Sequence, residues 1–219
     1  MDPVAALQGA RLSASQLGNA KLIVRQFMLA GYPAGIALAA VVNAKAESNL
    51  DARAVAGEPK GGYSVGLFQL YDRGAGKGMA VSPGKPPPSH DPRFDPRRNT
   101  ARIIQEVRSP YGKQLLAAYQ QGASVAQLAG IFARDIERPA NAAVRAKERE
   151  DLTRRMFGSL ADMPANRLGA GPGVGSVAQA VVLAPALVPW WVWLIPAGVI
   201  GLSLTGAILF GGGRRTRRL

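Results

Sequence analysis

The sequence predicts a mainly α-helical body with one small β-hairpin, an α+β arrangement, followed by a linker and a single C-terminal transmembrane helix. Three observations carry that expectation. Residues from about 15 to 160 alternate segments of helical apolar spacing with turn signals, and one short stretch, "GGYSVGLFQLY" (61–71), reads as strands. Residues 162–178, "DMPANRLGAGPGVGSVA", are rich in Gly, Pro and Ala without an apolar period, which marks a linker. Val181–Phe210 then carries no charged residue. The expected boundaries are a body over 1–160, a linker over 161–180, a membrane helix over 181–210 and a basic tail over 211–219.

Within the body, "QLGNAKLIVRQFMLAG" (16–31) has an amphipathic helical pattern that stops at Gly31. Pro33 is placed for the first turn of a second helix, reaching about Ser48. Residues 54–79 are glycine-rich and hold the hairpin, and 80–95 form a proline-heavy loop. Asp95-Pro96 opens a helix to about Val107, and "GKQLLAAYQQG" (112–122) is a shorter one. Ser124 can cap a helix over Val125 to about Ile136. The last, over Ala140–Phe157, is dense in charge and reads as exposed.

The membrane helix rests on length and flanks. Leu187–Phe210 is 24 residues. At about 1.5 Å per residue such a helix exceeds a hydrocarbon core of roughly 30 Å. Trp190, Trp191 and Trp193 mark one interface, and "RRTRRL" closes the other end. Pro196 is expected to kink the span, and Ala197, Gly201 and Thr205 form a small-residue stripe along it. The positive-inside rule puts the arginine tail in the cytoplasm and the body on the far side, a single-pass membrane anchor. The N-terminal "MDPVAALQGARLSASQ" has no basic segment ahead of an apolar core, so it is not a secretory signal. Another export route, or passive carriage to the target, is expected instead.

Composition narrows the chemistry. The formal net charge is +13, from 27 Lys and Arg against 14 Asp and Glu, and four of the arginines lie in the last six residues. Such a balance favours polyanions: nucleic acid, anionic lipid or a bacterial wall. Aromatics are not interleaved with the basic residues and no DNA-reading motif is present, so no specific nucleic acid is expected. With no cysteine, thiol nucleophiles, thiolate metal sites and disulfides are excluded. One histidine, His90 in "PPPSHDP", leaves no histidine-cluster metal site, and no cofactor is expected. "RGAGKG" (73–78) lacks the glycine and hydroxyl residue of a phosphate loop.

One acid stands out. Ile36, Ala40, Asn43 and Glu47 are spaced four, three and four, on one helix face. Glu47 ends that mostly apolar stripe at the helix C-terminus, where desolvation and the helix dipole both favour a protonated carboxyl. That suits a general acid. A solvated glutamate beside a helix end at Asn49 is the plain alternative.

Glu47-Ser48-Asn49-Leu50 is followed by Ser64-Val65-Gly66-Leu67-Phe68-Gln69, and then by "FDPRRNTARIIQEV" (94–107) and "FARDIERPANAAVRAKER" (132–149). Over about residues 30–157 this set resembles the lysozyme-like superfamily, nearest the lytic transglycosylases and the phage-tail lysozyme group. The resemblance implies a peptidoglycan-degrading enzyme in which Glu47 protonates the glycosidic oxygen between N-acetylmuramic acid and N-acetylglucosamine. It implies that Ser48 and Ser64 offer hydroxyls near the sugar, that Gly66 lets backbone approach it, and that Gln69 faces the N-acetyl group or the acid. Phe68 and Tyr71 would each stack on sugar or belong to the core, with core favoured for Phe68, and Asn99 would either tie the cleft helix in place or lie on its surface. A hydrolase needs a second carboxylate, for which Asp72, Asp51 and Glu137 are the candidates. A transglycosylase needs none, because the muramic C6 hydroxyl attacks internally, and this outcome is favoured.

The expected partners are peptidoglycan glycan strands, a lipid bilayer through the C-terminal helix, and other virion membrane proteins. The expected location is a virion membrane or bacterial envelope with the catalytic body facing peptidoglycan, delivered by a bacteriophage particle. The alternative is a catalytically silent wall-binding or virion membrane scaffold with the same fold.

Overall fold

The structure, a computed structural model, describes residues 2–139 and 141–168. Asp2 caps a short first helix, α1 (Pro3–Gln8), accepting from Val4 N, with Pro3 supplying a preset first turn. The sequence reading had no helix there. Next, α2 (Ala14–Leu29) starts at a reciprocal cap between Ser13 and Gln16. Helix α3 (Ala34–Ser48) follows, with Pro33 at the capping position rather than inside the first turn.

Helix α3 is the centre of the molecule. Every residue from Ala34 to Ala44 is buried, so the expected single apolar stripe is instead an apolar surface all round. Helix α2, α6 (Val125–Phe132) and α7 (Ala142–Phe157) pack around it. Alanines at 37, 39, 40 and 44 let these neighbours approach closely.

Beyond α3 lies a three-stranded antiparallel sheet, β1 (Val55–Gly57), β2 (Tyr63–Val65) and β3 (Leu70–Tyr71), paired in that order. Val65 sits between Val55 and Leu70. The expected hairpin is β2–β3, and β1 is an added edge strand. Helix α4 (Pro96–Arg108) starts at Asp95, whose side chain accepts from Arg97 N and Arg98 N. After α5 (Lys113–Gln120), Ser124 and Gln127 cap α6 reciprocally. Helix α6 does not run to Ile136 as expected. It changes at Ala133 into a π turn, Ala133–Glu137, closed by Arg138 N donating to Ala133 O at 3.1 Å. Pro139 then blocks continuation.

Two further expectations need correction. Helix α7 is charged and exposed along one face only: it buries Arg149, Thr153 and Met156, which recur at spacings of four and three. The body does not end at residue 160 either. Short 3₁₀ turns at Gly158–Asp162 and Ala165–Arg167 continue it, Ala165 N bonds Ala123 O at 2.9 Å, and Leu168 is buried in the core. The remaining linker, the membrane helix expected over 181–210 and the basic tail lie outside the described residues. Among the described residues no helix is long and apolar enough to cross a membrane.

Two polar clamps fasten the sheet to the helices. Arg93 and Asp91, both fully buried, form a two-pronged ion pair with three bonds of 3.0 Å, including the backbone N–H of Arg93. Arg93 Nη1 also donates to Tyr63 O at 2.9 Å and Leu70 O at 3.1 Å, joining strands β2 and β3 to the loop before α4. Burial raises the Asp91 carboxyl, but the Arg93 hydrogen bonds, the Arg93 charge and a backbone bond from Val81 together hold it below its ordinary 3.8. The second clamp is Asn99 on α4, which is 0% exposed. It accepts from Phe68 N and donates to Val65 O and Arg93 O, each at 3.0 Å.

Replacing Arg93 by Met is expected to destabilise the fold by about 3–5 kcal/mol, because it strands the buried Asp91 and two carbonyls. Urea unfolding of the two proteins side by side checks this; a loss under about 1 kcal/mol would show the clamp to be dispensable.

Candidate active site

Helix α3 stops at Asn49 for a local reason. Asn49 and Leu50 both adopt left-handed backbone (φ 58° and 60°), which asparagine tolerates and leucine ordinarily resists. Neighbours secure the turn: Lys45 Nζ donates to Asn49 Oδ1 at 2.6 Å, Gln16 to Asn49 O at 3.1 Å, and Asn19 to Leu50 O at 2.8 Å. Leu50 itself is buried in the core. Glu47 therefore sits in the last turn of a rigid buried helix, with 29% of its side chain exposed. Ser48 Oγ donates to Ala44 O and, at 2.8 Å, to Leu67 O. The glycine turn of the sheet is thus stitched to the residue next to the acid.

Gly66 has φ +81°, and a Cβ there would fall on the Arg93 carbonyl and the Asn99 amide. Only glycine fits, because the clamp occupies the space. Gln69 is also left-handed (φ 45°), and its Nε2 donates to Gly66 O at 3.0 Å and Ala54 O at 3.3 Å.

The acid is not alone. Arg149 of α7, with a side chain only 4% exposed, donates from Nη2 to Glu47 Oε1 and, at 3.4 Å, to Glu137 Oε2. Its Nε donates to Asn43 Oδ1 at 3.2 Å. Asn43, buried one turn before Glu47, is held by its own bonds to Ala39 O and Ala129 O. Glu137, 10% exposed, comes from the π turn and has a buried Oε1 with no hydrogen-bond partner. Burial, then the Glu47 charge and the hydrogen-bonding contact between the two carboxyls, push Glu137 from 4.5 to about 8, against the pull of Arg149.

Other residues singled out by the sequence fall into place around this group. Of the three second-carboxylate candidates, Glu137 joins Glu47. Asp51 is exposed and caps the turn at Arg53 N, 2.8 Å away. Asp72 is buried and accepts from Tyr63 N and Gly84 N, fastening the sheet to the 82–85 turn. The polar atoms of Asn99 face the backbone of Val65, Phe68 and Arg93 rather than the cleft. Ser64 Oγ donates to Glu58, so both expected serine hydroxyls are engaged internally. The Tyr71 hydroxyl donates to Gly61 O at 2.9 Å. Phe68 is core, ring to ring with Phe132 at 6.3 Å.

Sequence reasoning missed Asn43 as a ligand of the cluster, and Arg149 altogether. The available signal for Arg149 was its spacing to Thr153 and Met156: a cation standing where the buried face of α7 requires an apolar residue.

A buried central helix ending in a part-exposed acid, with a small antiparallel sheet stitched across that end, defines a lysozyme-like protein. Residues 18–160 match the sequence model of the phage tail lysozyme family, and the chain belongs to that family. It is a phage-associated, lysozyme-like protein whose substrate class is peptidoglycan. No curated protein and no solved structure matches the chain.

Burial of Glu137 has a measurable consequence. The folded chain binds its proton more tightly than the unfolded one, so its contribution to stability is full below about pH 4.5 and lost as pH rises through about 8. Asp91 acts oppositely, contributing above 3.8 and losing that contribution as pH falls through its lowered folded value. Thermal unfolding followed by circular dichroism should show the midpoint rising as pH drops from 9 to 5. A midpoint that is flat or falling across that window contradicts a protonated, buried Glu137.

Proposed function

We propose that the chain cleaves the β-1,4 bond between N-acetylmuramic acid and N-acetylglucosamine in peptidoglycan, with Glu47 as acid and then base. The observation that carries this reading is the presentation of Glu47: a carboxyl on a rigid buried helix, open to solvent beside the Gly66–Gln69 turn. Glu47 protonates the leaving glycosidic oxygen. Both amide hydrogens of Gln69 are taken by carbonyls, so its Oε1 is the atom it offers to an N-acetyl N–H. Tyr71 supplies an aromatic face at the margin of the sheet.

The lytic transglycosylase outcome is favoured by the position of Glu137. It binds the same Arg149 nitrogen as Glu47, which sets it nearer the acid than the roughly 6.5–9.5 Å an inverting hydrolase keeps for its water. Attack by the C6 hydroxyl, deprotonated by Glu47, closes the anhydro ring without a second carboxylate. The opposing reading, a silent wall-binding or virion scaffold module, draws on the Glu47–Arg149 contact, which already engages the carboxyl that would serve as acid.

Glu47→Gln is expected to lower sacculus clearing by about 10²–10⁴-fold while leaving sacculus binding intact. Mass spectrometry of the released muropeptides should find products one water lighter than reducing ends. Unchanged clearing by Glu47→Gln would eliminate the enzymatic role of this residue, and reducing ends would assign hydrolysis.

The reading extends to delivery: Leu187–Phe210 anchors the enzyme in a virion membrane or bacterial envelope with its body toward the wall. Protease added from the wall-facing side of intact particles should release the body and leave a fragment containing Trp190–Trp193 with the lipid. Complete extraction of the uncleaved chain by alkaline carbonate would refute the anchor.

A further inference from the structure

This inference rests on Glu47 being the acid. A general acid must carry a proton when substrate arrives, and Glu47 already accepts a hydrogen bond from the Arg149 guanidinium. Two ionised carboxylates against one guanidinium would leave a net negative charge in a site that is mostly closed to water, at considerable cost. The trio therefore retains one proton. Glu137 is built to hold it: Oε2 faces the Arg149 nitrogen that also binds Glu47, and Oε1 is buried without a partner.

We propose that Glu137 is a positioning residue that stores the catalytic proton and passes it to Glu47, its neighbour on the same Arg149 nitrogen, when substrate covers Glu47. A sugar over the cleft removes the solvent that reaches 29% of the Glu47 side chain, which disfavours charge there and draws the proton across. The Glu137 O–H bond breaks as the Glu47 O–H bond forms. The pair holds one proton and one negative charge before and after, matched by Arg149. Glu47 then gives its proton to the leaving oxygen, and deprotonation of the attacking C6 hydroxyl returns one, so the cycle closes.

Among the described residues, the other charged groups nearby are engaged elsewhere or exposed. Arg134 and Asp135 of the same π turn pair with each other at 2.7 Å. From α4, Glu106 is taken up by Arg102 at 2.9 Å and Arg138 at 3.5 Å, and Tyr111 of the following turn lies under Arg138. Helix α6 carries no charged residue. On α7, Arg145 pairs with Glu148, Arg154 with Glu150, Asp151 and Asp162, while Lys147 and Arg155 are exposed. Glu47 and Arg149 are the charged groups that act on Glu137.

The test is the pH dependence of sacculus solubilisation by the full-length chain, compared with Glu137→Gln and Glu137→Asp. Wild type is expected to lose activity on an alkaline limb near pH 8. Glu137→Gln should move that limb down by about two pH units or more and lower the rate at pH 7 by about tenfold or more, with KM little changed. Glu137→Asp should restore part of the limb. A purely structural role would leave the limb in place and lower the rate uniformly, and that result overturns the proposal. Should Glu137→Gln fail to fold, carboxyl ¹³C NMR of wild type decides: titration of Glu137 near 8, moving down in Glu47→Gln, supports storage, and titration in the ordinary carboxyl range removes it. If Glu47→Gln abolishes turnover while the Glu137→Gln limb stays put, Glu47 remains the acid and the storage role falls. If Glu47→Gln retains turnover, both readings fall.

Discussion

Burying a guanidinium costs several kcal/mol unless its donors find acceptors and its charge finds a counter-charge, and Arg149 meets both conditions through three acceptors on two other elements. Asn43 and Glu47 come from the central helix and Glu137 from the π turn. The orientation of α7 against α3 is thereby fixed at the point where the acid emerges. Asn43 transmits the constraint, since its amide is anchored on Ala39 and Ala129 carbonyls while its oxygen receives Arg149. A loose α7 would leave a buried cation unpaired. The geometry around Glu47 is held by the electrostatics of the core rather than by the cleft surface.

The opposite wall is held by a different device. The sheet is small and its strands are two or three residues long, too short to be stable alone. Asn99 and Arg93 supply what the strands lack, saturating carbonyls and amides of the turn between β2 and β3 from the helical side. Phe68 then plugs the turn into the aromatic cluster of Phe27 and Phe132. The Ser48–Leu67 bond closes the seam one residue from Glu47. Both walls of the site are thus braced by buried polar groups, the sheet wall through Arg93 and Asp91 of the 80–95 loop.

Most helices were legible because their signals are local. Capping residues at Ser124 and Asp95, a proline ahead of α3 and glycines after α2 and α5 fall where the chain starts and stops turning. Elements without such signals escaped. Helix α1 has six residues, too few for a period, and all three residues of β1 are exposed, so no alternation marks it. The π turn is a change of register produced where α6 meets α4 and α7, and residues 161–168 look like linker by composition although Ala165 packs against Gly35. In the site, the serines and Asn99 carried the right residue types for sugar binding, yet their hydrogen bonds were already committed to backbone.

The sequence by itself determined that an acid would end a buried helix a short distance before a glycine turn, because helix length, left-handed exit at asparagine and tight turns depend on near neighbours. It also determined the family. Only the tertiary structure decided that Glu47 shares a guanidinium with Glu137. That contact joins residues 102 positions apart, and burial alone turns such a meeting of charges into a question of where one proton resides. Spacing along a chain encodes which face a side chain occupies, whereas protonation is set by how much water and which charges the folded neighbours leave around it.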